Sequence, residues 1–125
     1  MSEKLTSRNI GNIGEDAVCS FLQRNGYEIV KRNFTVRGGE IDIIARKKNV
    51  LAFVEVKTRK EGSLTQGEEA INDYKKSHII KTAEIFYYKL NEPCDCRFDV
   101  AVVQVSDRKV THLKYYVGAF DASKK

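Results

Sequence analysis

Gly39-Glu40-Ile41-Asp42-Ile43-Ile44-Ala45 and Phe53-Val54-Glu55-Val56-Lys57-Thr58-Arg59 are the two stretches on which the reading of this chain turns. Each is a short apolar run with the alternation of a β-strand. Each also carries carboxylates where a half-buried strand ordinarily has neutral side chains. Acids pressed against a core cost free energy unless a cation or a proton compensates them. Between the two runs, Arg46-Lys47-Lys48-Asn49 is a polar turn in which Asn49 suits a left-handed backbone. With Lys48-Asn49 as a two-residue turn, Lys47 faces Val50, Ile44 faces Phe53, Asp42 faces Glu55 and Glu40 faces Lys57. Alternation then puts Glu40, Asp42 and Ile44 on one face, with Ile41, Ile43 and Ala45 on the other. In the second strand Leu51, Phe53, Glu55 and Lys57 lie opposite Val50, Ala52, Val54 and Val56. Directly opposed residues have Cβ atoms about 4.5–5.5 Å apart, so Asp42 and Glu55 come within reach of one shared cation.

Two ionised carboxylates so close repel, and one takes up a proton unless a metal ion is present. Mg²⁺ (or Mn²⁺) suits such a pair, because it prefers hard oxygen ligands and is held by one or two carboxylates plus substrate phosphates. Lys57 projects beside the acids, where an ammonium can orient an attacking water and stabilise charge growing on a phosphate. The plainer reading is a salt-bridge ladder on the wet face of a two-sided sheet, and the local pattern leaves both open. The acid-x-Lys tripeptide recurs at Asp73-Tyr74-Lys75 and Asp107-Arg108-Lys109. The first opens a helix and the second lies in a turn. Only Glu55-Val56-Lys57 sits within an apolar strand with another acid across a hairpin.

Outward from the hairpin, Ala17, Val18, Phe21 and Leu22 give the period of a helix from Ile10 or Ile13 to Asn25, stopped by Gly26. Glu15 falls on the edge of its apolar face; a first-turn acid favoured by the helix dipole reads equally well. Tyr27 to Phe34 forms a strand and Gly38-Gly39 turns the chain. Lys60 to Glu69 reads as a mobile loop. A long helix from Asn72 or Asp73 to Leu90 carries Ile79, Ile80, Ala83, Phe86, Tyr87 and Leu90 at helical spacing. Beyond Pro93 come strands at Arg97–Val105 and Val110–Gly118, joined by an Asp107-Arg108-Lys109 turn. The residues after Gly118 read as a frayed tail. The expected fold is α/β: a mixed sheet flanked by helices in the order α-β-β-β-α-β-β, forming a single domain over residues 1–125.

The 125 residues are 42% hydrophobic, enough for one core, and contain no apolar run long enough to span a membrane. Met1 to Arg8 is polar, without the apolar segment of a secretory signal. With Cys19, Cys94 and Cys96 an odd count, reduced thiols and a cytoplasmic setting are expected. Cys94-Asp95-Cys96 is too closely spaced for the usual zinc knuckle. The net charge of +5 is compatible with a polyanionic partner such as nucleic acid.

The residues quoted above, with Gly11-Asn12-Ile13-Gly14-Glu15-Asp16-Ala17, Gly26-Tyr27, Arg32-Asn33-Phe34 and Arg97-Phe98-Asp99-Val100, make the chain resemble the PD-(D/E)xK, or restriction-endonuclease-like, superfamily. More closely it is similar to the YraN-type family of small bacterial proteins, predicted endonucleases distantly related to archaeal Holliday-junction resolvases. The resemblance covers nearly the whole chain and implies a mixed sheet in the order α-β-β-β-α-β. It places the core acids on Asp42 and Glu55, the lysine on Lys57, and the helix glutamate of the resolvase-like branch on Glu15 as a metal or water ligand. Position 41 is Ile where the name-giving proline would stand. The implied function is metal-dependent endonucleolytic hydrolysis of DNA, including branched DNA, by a homodimer. The alternative is a nucleic-acid-binding or partner-binding module that keeps the fold without cutting. Glu40 is a further candidate to assist the metal or pair with Lys57. Arg37, Arg59, Gln66, Lys75 and Lys76 are candidate phosphate contacts, although the two lysines read as an exposed helix face. Asp99 reads as a structural partner of Arg97 or of a neighbouring strand.

Overall fold

The acidic hairpin forms in the expected register, with Lys47 opposite Val50 and Ile43 opposite Val54. The computed structural model describes residues 7–61 and 72–121. Its elements are α1 (Ser7–Arg24), β1 (Glu28–Val36), β2 (Gly39–Lys47), β3 (Val50–Lys60), α2 (Asp73–Leu90), β4 (Asp95–Ser106) and β5 (Lys109–Phe120). The strands form one mixed sheet in the order β1-β2-β3-β4-β5. Every pairing is antiparallel except β3 with β4, whose parallel crossover includes α2.

The alternation read from β3 divides the core in two. Ala52 and Val54, with Ile43, Ala45, Ala101 and Val103, pack against Ile10, Val18, Cys19 and Leu22 of α1. Leu51 and Phe53, with Ile44, Phe98 and Val102, pack against Ile79 and Ala83 of α2. Ile41 departs from expectation: it sits in the α2 layer, on the other side of the sheet from Ile43. Neither Asp42 nor Asn33 takes part in the β1–β2 ladder at this point, and Asn33 is left-handed at φ 52°. The irregularity reverses the alternation between Ile41 and Ile43.

Several boundaries also move. α1 begins at Ser7, ahead of Ile10. β5 runs past Gly118 to Phe120, whose ring stacks on Phe98 at 5.0 Å between centroids. In the β2–β3 turn Lys48, not Asn49, is left-handed at φ 55°; the Asn49 carbonyl instead accepts from Asp95 N at 2.8 Å and sets the start of β4. Lys60 closes β3, whereas Gln66 and the rest of the expected loop from position 62 lie outside the described residues. No helix among the described residues is long and apolar enough to cross a membrane.

Asp99 is fully buried in β4 and fully engaged. Arg97 donates to both its oxygens, Tyr115 donates from its hydroxyl at 2.6 Å, and the Gly118 amide donates at 2.9 Å. Arg97 also donates to the Tyr27 hydroxyl at 2.6 Å. Asp99 thus ties β4 to β5 through Tyr115 and Gly118, and Arg97 ties β4 to Tyr27 in the α1–β1 connection.

α1 approaches β3 most closely at Gly14, where a Cβ would overlap the Thr58 side chain. Overpacking of this kind costs about 1–3 kcal/mol. Gly14→Ala is expected to lower the unfolding free energy from urea titration by that much, and Thr58→Ala in the same chain is expected to recover most of the loss.

Candidate functional site

β3 continues along β4 as far as Lys60, but its ladder with β2 ends at Ile43 and Val54. Past that point β2 stays with β1, so a fork opens between β2 and β3. Asp42 sits in its crotch and closes it with a side chain: Oδ2 accepts from the Val56 amide at 2.8 Å. The amide that would have entered the ladder is thereby satisfied by a carboxylate.

Glu55 lies one residue before that amide and is 7% exposed. Asp42 and Glu55 line one open cleft of about 500 Å³ with Gly38, Gly39, Glu40, Asn72, Tyr74, Lys75 and His78. The expected meeting of the two acids is therefore present, although at a fork rather than in a continuous ladder. Burial, and then the charge of Glu55, push the Asp42 carboxyl up to about 7 against the opposing pull of the Val56 amide; Glu15 and Glu40 add to the rise.

The cation beside Glu55 is Lys75. Its Nζ lies 2.6 Å from Glu55 Oε2. Burial disfavours its charge, but the hydrogen bond and charge of Glu55, followed by Asp42 and Glu40, outweigh that and raise its pKa. Two local features aim it. Asn72 caps α2 and accepts from the Lys75 amide at 2.8 Å, fixing the first turn. Gly39 lets α2 approach β2, since a Cβ there would overlap Thr82 Oγ1.

The other expected residues are more dispersed. Glu15, at the α1 edge, has Arg32 Nη2 at 3.3 Å, and the same guanidinium holds Asp16 at 2.9 Å. Its charge reaches Asp42, but its partner is Arg32. Lys57 is half-buried on β3 and does not line the cleft. The expected Glu40–Lys57 pair does not form, because the ladder ends before it. Arg37 is exposed in the β1–β2 turn, Arg59 is half-buried farther along β3, and Lys76 lies 5.8 Å over the Phe120 ring. Lys75, read from sequence as helix surface, instead enters the acid cluster. Sequence reasoning also missed Tyr74 and His78, whose rings stand 4.2 Å apart on the cleft wall. Their four-residue spacing across a helical turn was the available signal. Among the described residues no three His, Cys, Asp or Glu side chains are grouped to hold a metal ion. The donors facing the cleft are carboxylates, hard ligands of the kind Mg²⁺ or Mn²⁺ takes with water and phosphate oxygens. An ammonium at Glu55 shows that the cluster accepts a cation.

The model of the uncharacterised protein family UPF0102 matches residues 14–103, a span that includes Glu15, Asp42, Glu55, Lys57, Lys75 and Asp99. The UPF0102 protein of Chlorobium phaeobacteroides is 40% identical over 110 residues, covering 86% of this chain and 85% of its own. That of Caldicellulosiruptor saccharolyticus is 41% identical over 103 residues, covering 82% and 87%. That of Trichormus variabilis is 47% identical over 103 residues, covering 76% and 68%.

An acid whose pKa is lifted by folding binds more protons folded than unfolded, so stability falls as pH rises from the ordinary Asp range through about 7. Asp42→Asn keeps an acceptor for the Val56 amide and removes the titration. In metal-free buffer its melting temperature is expected to vary less with pH over that window, and to exceed wild type above pH 7.

Proposed function

The chain belongs to the uncharacterised protein family UPF0102, and we propose that it is a divalent-metal-dependent endonuclease of the restriction-endonuclease-like superfamily, acting on DNA. The observation that carries this reading is the Asp42–Glu55 pair at the β2–β3 fork, lining an open cleft beside a cation. A structural salt bridge has no need of a second, poorly compensated acid; a site for phosphate and metal does.

Asp42 and Glu55 would hold Mg²⁺ or Mn²⁺. When bound, the ion neutralises phosphate charge and makes water acidic enough to attack at neutral pH. The Val56 amide fixes one Asp42 oxygen and so sets the direction of the other. Glu55, anchored in a strand hydrogen-bonded on into β4, contributes a second fixed oxygen. Lys57 follows it by one alternation on the same strand, outside the cleft lining, and would steady the water and the growing negative charge once its side chain turned towards the acids. Water oxygen bonds to phosphorus, one phosphorus–oxygen ester bond breaks, and a proton passes to the leaving oxygen. Glu15 would assist once released from Arg32. The exposed Tyr74 ring, tilted at 45° against His78, offers a base a π-surface at the cleft wall. Arg37 and Arg59 would meet backbone phosphates. Branched DNA, cut in symmetry-related strands by a homodimer, is the substrate form this reading favours.

A second reading is a nucleic-acid-binding or partner-binding module that retains the fold. It is favoured by the Lys75–Glu55 pair, which already compensates one acid, and by the lack of a three-ligand group among the described residues.

Supercoiled plasmid and a four-way junction, incubated with Mg²⁺ or Mn²⁺, separate the two. Wild type is expected to cut at least one of them, with Asp42→Asn and Glu55→Ala reduced to background. Salt-sensitive binding without metal-dependent cutting by wild type establishes the module instead. At limiting metal, cleavage is expected to rise as pH passes through about 7, where Asp42 gives up its proton.

A further inference from the structure

The Lys75–Glu55 contact is a poor arrangement for a helix and a good one for a switchable charge. Lys75 lies in the first turn of α2, just after the Asn72 cap. Cations there oppose the helix dipole. A surface lysine has no reason to accept that position. Lys75 is held in it by the Glu55 carboxylate at 2.6 Å and by the charges of Asp42 and Glu40. Its side chain remains 53% exposed while that of Glu55 is 8% exposed. The acid is buried in its strand, and the lysine reaches it on a half-exposed side chain.

We infer that Lys75 is a second catalytic lysine: it occupies Glu55 in the metal-free protein and passes to the phosphate of the substrate when a divalent ion takes the same carboxylate. This rests on the nuclease reading above. The geometry makes the two cations competitors, since Glu55 Oε2 is engaged by Nζ and a dication drawn to it must approach an ammonium of like sign. Displacement is open to Lys75 because its stem is long and its side chain is half exposed. A phosphodiester brought to the cleft supplies the anion that the displaced ammonium then meets, through an N–H donated to a non-bridging oxygen. Lys75 thereby keeps the acids compensated when no metal is bound and adds positive charge at the phosphate when one is.

The test measures Mn²⁺ binding by calorimetry, without DNA, for the full chain and for Lys75→Met, Lys75→Arg and Glu55→Ala. Lys75→Met keeps the apolar stem and removes the competitor, so it is expected to bind Mn²⁺ about 5–10-fold more tightly than wild type, equivalent to about 1–1.4 kcal/mol. Lys75→Arg restores a cation and is expected to return affinity towards wild type. At saturating Mn²⁺, Lys75→Met is expected to cut plasmid more slowly despite its tighter metal binding. Unchanged or weaker Mn²⁺ binding by Lys75→Met overturns the inference and leaves the nuclease reading standing. So does tighter binding with undiminished cleavage, which removes the phosphate role. If Mn²⁺ binding by wild type does not depend on Glu55, the metal site itself is wrong and both fall together.

Discussion

The hydrogen bond from the Val56 amide to Asp42 is the constraint around which the site is arranged. A β-ladder ordinarily satisfies amides with carbonyls; here the ladder stops at Ile43 and Val54 and a carboxylate takes the next amide. One side chain therefore does two things. It terminates the β2–β3 pairing without leaving a buried donor orphaned, and it holds a negative charge where the strands part. The irregularity at Asn33 and Asp42 completes the opening, because it turns Ile41 into the α2 layer while Ile43 stays in the α1 layer. The fork is open to influence from both layers as a result. Glu15 acts on Asp42 from α1, and Glu40 from the start of β2 beside α2.

Asp99 shows what an acid placed for structure looks like in the same protein. It is fully buried, and every lone-pair direction it offers is met by Arg97, Tyr115 or the Gly118 amide. Removing one partner of such a buried pair typically costs about 3–5 kcal/mol, which suits a post that joins β4, β5 and the α1–β1 connection. Among the described residues Asp42 has one amide, no ion pair of its own, and three acids acting on it. Two aspartates on one sheet thus differ in compensation as well as in depth. Incomplete compensation is what leaves a carboxylate ready for a cation from outside.

Much of this was legible in the strand pattern. The alternation of Leu51, Phe53 and Glu55 against Ala52, Val54 and Val56 fixed both faces of β3, and the polar turn fixed the hairpin register. Those are local, periodic signals in which a slip by one residue would expose a core face. What escaped was non-local. A continuous ladder was assumed through Asp42, so Glu40 was set opposite Lys57, and Ile41 beside Ile43. No periodicity announces a ladder that stops because a side chain has taken the next amide. Lys75 escaped for a different reason. Sequence places it on a helix turn, but only the close approach of α2 to Gly39 carries that turn over the acids. Arg32 was visible only as part of a motif; its hold on Glu15 and Asp16 depends on how α1 lies across β1.

The dispersal of the acids has a common logic once their partners are considered together. Glu55 is matched by Lys75 from α2, Glu15 by Arg32 from β1, and Asp42 by a proton whose hold extends to about 7. Each compensating species is of a different kind, and each comes from outside the β2–β3 hairpin that carries the acids' core. Had all three carboxylates been ionised and unpartnered, their repulsion would have opposed closure of the sheet around them. Had all three been locked as Asp99 is locked, no oxygen would remain for a ligand. The sheet can therefore close with its acids in place because their neutralisation is divided among a lysine on a half-exposed side chain, a shared arginine and a labile proton. On the proposed reading, those are the compensations that an entering dication would have to displace.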